Sequence, residues 1–148
     1  MPAVLAATIT KIVSTTQTGG RPVGAVDVID RFGRADKQSG FLQANPHGEP
    51  IGDESRRVIE LALASPSIHW VSSLGSSPDG PLTTIAGTYP EPVRLTVIVG
   101  APVIKTSSAS VKVETRCGRG CHGGVTMLLS RSQTGSWSVS GTDGGFIE

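Results

Sequence analysis

Two stretches of strict alternation, joined by a glycine-rich connection, constrain this chain more than anything else in it. Ala109, Val111, Val113, Thr115 and Cys117 share one parity, and Ser110, Lys112, Glu114 and Arg116 share the other. After Cys117-Gly-Arg-Gly-Cys-His-Gly-Gly124 the pattern resumes with Val125, Met127 and Leu129. A period of two sends successive side chains to opposite faces, so both stretches read as strands with one packed face and one wet face. Ser132-Gln-Thr-Gly135 has hairpin-turn length, and Trp137 and Val139 then continue on the buried parity. Gly144-Gly145 lets the chain turn before Phe146 and Ile147 dock.

Upstream, Val93, Leu95, Val97 and Val99 form a further strand that Gly100-Ala-Pro102 ends. The front half reads differently. Leu5, Ile9, Ile12 and Val13 recur at helical spacing and predict a helix over 3–14. Val23–Phe32 reads as a strand interrupted by Asp27 and Asp30. Gly33–Pro50 is a long loop with a short strand at 41–43. Asp53 caps a second helix whose apolar face is Val58, Ile59, Ala62 and Leu63, and Pro66 stops it. Ile68–Ser72 is a short strand with Ile68 and Trp70 on one face. Residues 73–81 are Gly/Ser/Pro-rich, and 82–86 fit no single element. The expected architecture is α+β: two N-terminal-half helices packed on a curved antiparallel sheet of four to six strands, in a single domain over 1–148.

Composition fits a folded chain built on aliphatic residues. Of 148 residues, 19 are glycine and 10 proline, about a fifth, which is turn-rich without being low-complexity. With few aromatic residues, the core rests on Val, Ile and Leu, which favours sheet. A net charge of +1 supplies no global attraction to nucleic acid or anionic membrane. No apolar run reaches the length of a membrane helix, and the N-terminus lacks the basic start of a signal peptide. The expected location is cytoplasmic, or periplasmic or secreted if a leader has been trimmed.

The motifs that suggest chemistry are best explained by architecture. Residues 118–123 match G-x-G-x-x-G literally, but a strand follows where a dinucleotide site needs a helix. Cys117, Cys121 and His122 have no second ligand pair, so no metal is expected. In an exported chain Cys117 and Cys121 would form a local disulfide closing a very small loop, contributing about 2 kcal/mol by chain entropy. In a reduced compartment both thiols would be structural, with Cys117 in the core. Cys121 and His122 are adjacent on a glycine loop and lack an orienting third group for nucleophilic catalysis. Asp27, Asp30 and His69 are the candidate ligand-binding residues, since carboxylates and an imidazole converging in one pocket could bind or do acid–base work. Lys112, Arg116, Arg119 and Arg131 could share one hairpin face as a phosphate or nucleic-acid patch, but no exposed aromatic interleaves them for base stacking.

The C-terminal part resembles a group of uncharacterised bacterial proteins. These end in a strand, a Cys-Gly-x-x-Cys-x-x-Gly loop, a strand, a turn with Gly-x-Trp-x-Val, and a short apolar segment. The corresponding residues are Cys117-Gly-Arg-Gly-Cys121-His-Gly-Gly124, Gly135-Ser-Trp137-Ser-Val139 and Gly145-Phe-Ile147. The likeness spans 93–148 and implies a loop-and-hairpin architecture; it implies no activity. The last turn departs from that group in lacking lysines, and the final segment in being glycine-rich. The layout is also similar at fold level to nuclear transport factor 2-like domains, in which a pocket lies between helices and sheet.

The functional expectation is a small non-catalytic binding or interaction domain, without a cofactor, that associates with a small molecule, a protein or its own copies through the sheet. The alternatives are a small-molecule-binding protein or enzyme with a pocket between helices and sheet, using Asp27, Asp30 or His69, and a basic-faced nucleic-acid accessory protein.

Overall fold

The computed structural model describes residues 1–16, 22–64, 67–74, 93–117 and 122–147. Its elements, in order, are α1 (Pro2–Thr15), β1 (Val23–Ile29), β2 (Arg34–Ala35), β3 (Leu42–Gln43), α2 (Asp53–Ala62), β4 (Ser67–Val71), β5 (Val93–Val99), β6 (Val103–Ile104), β7 (Ser108–Arg116), β8 (His122–Arg131) and β9 (Trp137–Ile147). Both helices lie in the N-terminal half and pack on a seven-stranded sheet, so the class is α+β as expected. The expected segments at 73–86 fall mostly outside the described residues. No described helix is long and apolar enough to cross a membrane.

The sheet runs β4-β1-β5-β7-β8-β9, with β6 added beside β7. It is mixed. From β5 through β9 every pairing is antiparallel, whereas β1 runs parallel to both β4 and β5. Parallel neighbours require a crossover, and α2 supplies it between β1 and β4. Parallel strands are usually covered on both faces, and here Val26–Ile29 and Leu95–Val99 are buried without interruption.

One face carries the main core. α1 starts at Pro2, where a missing N–H costs nothing, and buries Val4, Leu5, Thr8, Ile9, Ile12 and Val13. The Thr8 hydroxyl is satisfied within the helix by the Val4 carbonyl at 2.8 Å. Against this stripe lie Val26, Val28, Leu95, Val97, Val111, Val113, Met127 and Leu129. Each large aliphatic side chain buried here contributes about 1.5–3 kcal/mol of transfer free energy. Gly52, not Asp53, is the N-cap of α2; Asp53 and Glu54 instead occupy the first turn, where their charge complements the helix dipole. α2 is tied to β4 by the Trp70 indole, which donates to Glu60 at 2.7 Å and lies 5.0 Å beneath the Arg56 guanidinium.

The other face is covered locally by the β2–β3 hairpin. Leu42 packs there on Ile29, Val71 and Ile98, forming a second small core. β9 is also longer than expected. Instead of turning at Gly144-Gly145, it continues to Ile147, absorbing the change as an irregular register with β8, and Gly144 takes φ +62°.

Gly33 lets the hairpin approach the sheet. Its N–H donates to the Val99 carbonyl at 2.8 Å, and a Cβ there would sit 2.7 Å from Ile98 Cγ2 and 2.8 Å from the Gln43 carbonyl oxygen. A backbone oxygen cannot rotate away. Gly33→Ala is therefore expected to destabilise by about 1–3 kcal/mol in urea unfolding, with an unchanged midpoint contradicting this close approach.

Candidate functional site

The outward face of the sheet carries a polar row assembled from five strands. Register places His69 of β4 beside Asp27 of β1, Asp27 beside Thr96 of β5, Thr96 beside Arg116 of β7, and Arg116 beside His122 of β8. With strands about 4.8 Å apart, the two histidines stand roughly 19 Å from one another. Arg94 and Glu114 flank the row on β5 and β7, two residues away from Thr96 and Arg116 and hence on the same face.

The row contains two carboxylates that are almost wholly out of water, Asp27 at 3% exposure and Glu114 at 2%, and Thr96 at 4% lies between them. Each carboxylate has one histidine and one arginine against it. His69 Nδ1 is 3.5 Å from Asp27 Oδ1, and Arg94 Nη1 is 3.8 Å from Oδ2. His122 Nε2 is 3.1 Å from Glu114 Oε2, and Arg116 Nη2 is 3.7 Å from the same oxygen. Burial of a charge is costly unless it is paired, and these four side chains supply the pairing. The basic groups are the more exposed members, so the row presents donors to solvent and hides its acceptors.

Glu114 also fastens the hairpin, because its Oε1 accepts the Leu42 backbone N–H. Next to Leu42, the Phe41 ring meets the His122 ring edge-on at 5.8 Å. A hollow of about 180 Å³ opens beside this contact, between Leu42 and a row formed by Lys112, Thr126 and Asp143, with Glu114 and Gly124 in its wall. A larger hollow of about 430 Å³ at the far end of the sheet, by Ser107, Arg131 and Gln133, shares no residue with the row.

The expected trio is partly assembled. Asp27 and His69 meet. Asp30 does not join them: it lies beyond the end of β1 on the opposite parity, its N–H bonded to Val71 and its carbonyl to Ile51. Its Oδ1 is buried with no hydrogen-bond partner among the described residues. Cys117 is buried at 2% on the core parity, and its sulfur is engaged in a disulfide. The only other cysteine in the sequence, Cys121, lies outside the described residues, as does Arg119. The basic hairpin patch is divided, since Lys112 and Arg116 share the outward parity whereas Arg131 has the other. Among the described residues no group of three or more His, Cys, Asp or Glu is arranged to hold a metal.

Arg94, Thr96, Glu114 and His122 were not proposed as a site from the sequence. A signal existed: Arg94 and Thr96 interrupt an otherwise apolar strand, and Glu114 is the one acidic residue among six basic ones between 93 and 139. Compared with known proteins, the chain matches no protein-family model, no curated sequence and no solved structure.

The loop before β3 owes its shape to Asp36. The Gln38 backbone N–H and the Ser39 hydroxyl donate to its carboxylate at 3.1 and 3.0 Å, and with the Arg34 charge they hold its pKa below the ordinary 3.8. A lowered folded value means these contacts stabilise the loop above pH 3.8 and are lost as pH falls through the lower folded value. The Gln38 amide resonance is expected to titrate with a midpoint below 3.8, and to lose that titration in Asp36→Ala. A midpoint at or above the ordinary value would contradict the turn geometry.

Proposed function

We propose that the protein is a non-catalytic binding domain that takes a small polar ligand on the outward face of its sheet, along the row from His69 to His122. The observation that carries this reading is the burial of Asp27 and Thr96 in register on β1 and β5, with Glu114 buried on the same face two residues from Arg116, the β7 partner of Thr96. Glu114 has a structural task in holding the hairpin, but fold stability gives little reason for the Asp27 end of the row, because apolar side chains of similar volume commonly stabilise as much as a buried ion cluster, or more. A ligand surface does give one: buried carboxylates fix the partly exposed arginines and histidines in place, so that a ligand meets donors already oriented. The engaged Cys117 favours an oxidising compartment over the reduced cytoplasm.

A second reading, an acid–base enzyme, is favoured by one contact. His69 has its Nδ1 turned toward a buried carboxylate, the arrangement that orients a catalytic imidazole. The roughly 19 Å between His69 and His122 prevents the two from acting on a single bond as acid and base.

A thermal-unfolding screen against carboxylates, phosphates, sugars and amines separates these readings. A true ligand at one hundred times its Kd stabilises by about 2.7 kcal/mol, and is expected to raise Tm for the native chain and for a helix-side control such as Arg57→Gln. Arg116→Gln is expected to lose the response. Mass spectrometry should recover the ligand unchanged. Chemical conversion of the hit would favour the enzyme, and a full response in Arg116→Gln would remove the row as the binding surface.

A further inference from the structure

We infer that the hollow at the far end of the sheet is a site for an oxyanion group carried on a small hydroxylated molecule, with Arg131 as the residue that holds it. This site lies outside the polar row and goes beyond the reading given to that row. Two turns build it. The turn between β6 and β7 brings Thr106 and Ser107, and the turn between β8 and β9 brings Ser132, Gln133 and Gly135. At about 430 Å³ the hollow falls within the range of about 300–1,000 Å³ usual for small-molecule sites.

Both turns are fixed by their own hydrogen bonds. The Lys105 N–H donates to the Ser108 carbonyl at 2.8 Å. The Ser132 N–H donates to the Ser136 carbonyl at 2.8 Å, and the Gly135 N–H returns to the Ser132 carbonyl at 3.0 Å. Between the turns, the Arg131 N–H donates to the Ser107 carbonyl at 2.9 Å, and Arg131 pairs with Trp137 across the β8–β9 ladder. The backbone that carries the arginine is therefore held on both sides and needs no ordering when a ligand arrives.

The guanidinium is open. Arg131 is exposed, and among the described residues its side chain makes no hydrogen bond or ion pair. Gly135, at φ +89°, has no side chain to cover it. A Cβ there would sit 3.4 Å from Arg131 Nη2 and 3.8 Å from Nε, with Cζ beyond 4 Å. The Nε–Nη2 edge thus faces the space that a side chain at 135 would take. That edge is the parallel pair of donors that an oxyanion matches side-on. The side chains of Thr106, Ser107 and Gln133 also make no hydrogen bond among the described residues. They leave donors and acceptors for ligand hydroxyl groups beside the fork.

Charge favours an anion here. Lys105 stands beside Thr106, and neither turn contains an acidic residue. Glu114 and Asp143 lie six residues along their strands from Ser108 and Trp137, about 20 Å away by strand rise. Arg131 and Lys105 are thus uncompensated among the described residues, whereas Arg94 and Arg116 each face a carboxylate. Two exposed cations suit a single oxyanion group, bound weakly; a polyanion draws on many more.

The test is amide NMR of the whole chain, titrated separately with glucose 6-phosphate, glucuronate and glucose, with sodium chloride at matched ionic strength as the reference. Saturable shifts at Ser107, Ser132 and Gln133 with one or both anions are the expected result, and comparing the two arms tells a phosphate site from a carboxylate site. Arg131→Gln, and Arg131→Lys, which keeps the charge without the fork, should each weaken binding by about tenfold or more while keeping the native amide spectrum. Arg57→Gln, an equal loss of charge on α2, should bind as the native chain does. No saturation with either anion, equal shifts with glucose or chloride, or native affinity in either Arg131 variant overturns the site.

Discussion

Two carboxylates buried on the outward face of the sheet set the terms for everything around them. Asp27 and Glu114 are each almost completely removed from water, on strands separated by only one other. A carboxylate in that position must be neutralised by neighbours or lose its charge. The placement of His69, Arg94, Arg116 and His122 answers that requirement. So does the seating of the β2–β3 hairpin, whose Leu42 N–H ends on Glu114. The hairpin in turn supplies Leu42 to the small outer core, so polar and apolar contacts fix one element together.

The two faces of the sheet divide the work. The face under α1 and α2 is a continuous aliphatic core, and it holds strand positions so firmly that side chains on the opposite face are aligned row by row. Parity does the rest: one strand register determines both which valines meet the helices and which polar groups meet each other. A one-residue slip of β7 against β5 would put Glu114 and Arg116 under the helices and Val113 and Thr115 outside. The core thereby specifies the geometry of the row.

The antiparallel half was legible in the sequence because its strands alternate. Val111, Val113, Met127 and Leu129 announce a buried face, and Lys112 and Leu128 opposite them are exposed. The parallel half was harder. In β5 the alternation of Val93, Leu95, Val97 and Val99 was visible, but Thr96 and Ile98 are buried as well, which a period of two does not reveal. The strand–helix–strand order of β1, α2 and β4 was present and is the ordinary signature of a parallel pair. The run of antiparallel signals that follows masks it. Asp27 and His69 were recognisable as chemistry-bearing residues, yet their meeting depends on a long-range register that no local pattern encodes. Asp30 is close to Asp27 in the sequence, but parity sends it to the other face. Glu114 falls on the wet parity of its strand, and nothing local in the chain indicates that the distant hairpin covers it.

The central claim is that the Asp27 end of the polar row is kept for a ligand and not for the fold, Glu114 at the other end having the added task of holding the hairpin. Urea unfolding of the triple variant Asp27→Leu, His69→Leu, Arg94→Met tests it most directly, since the ion cluster around Asp27 is then replaced by apolar side chains of similar size. The account predicts a free energy of unfolding equal to or above that of the native chain, as found when buried ion clusters are replaced by apolar residues. A loss of several kcal/mol would contradict it and make the row a structural necessity.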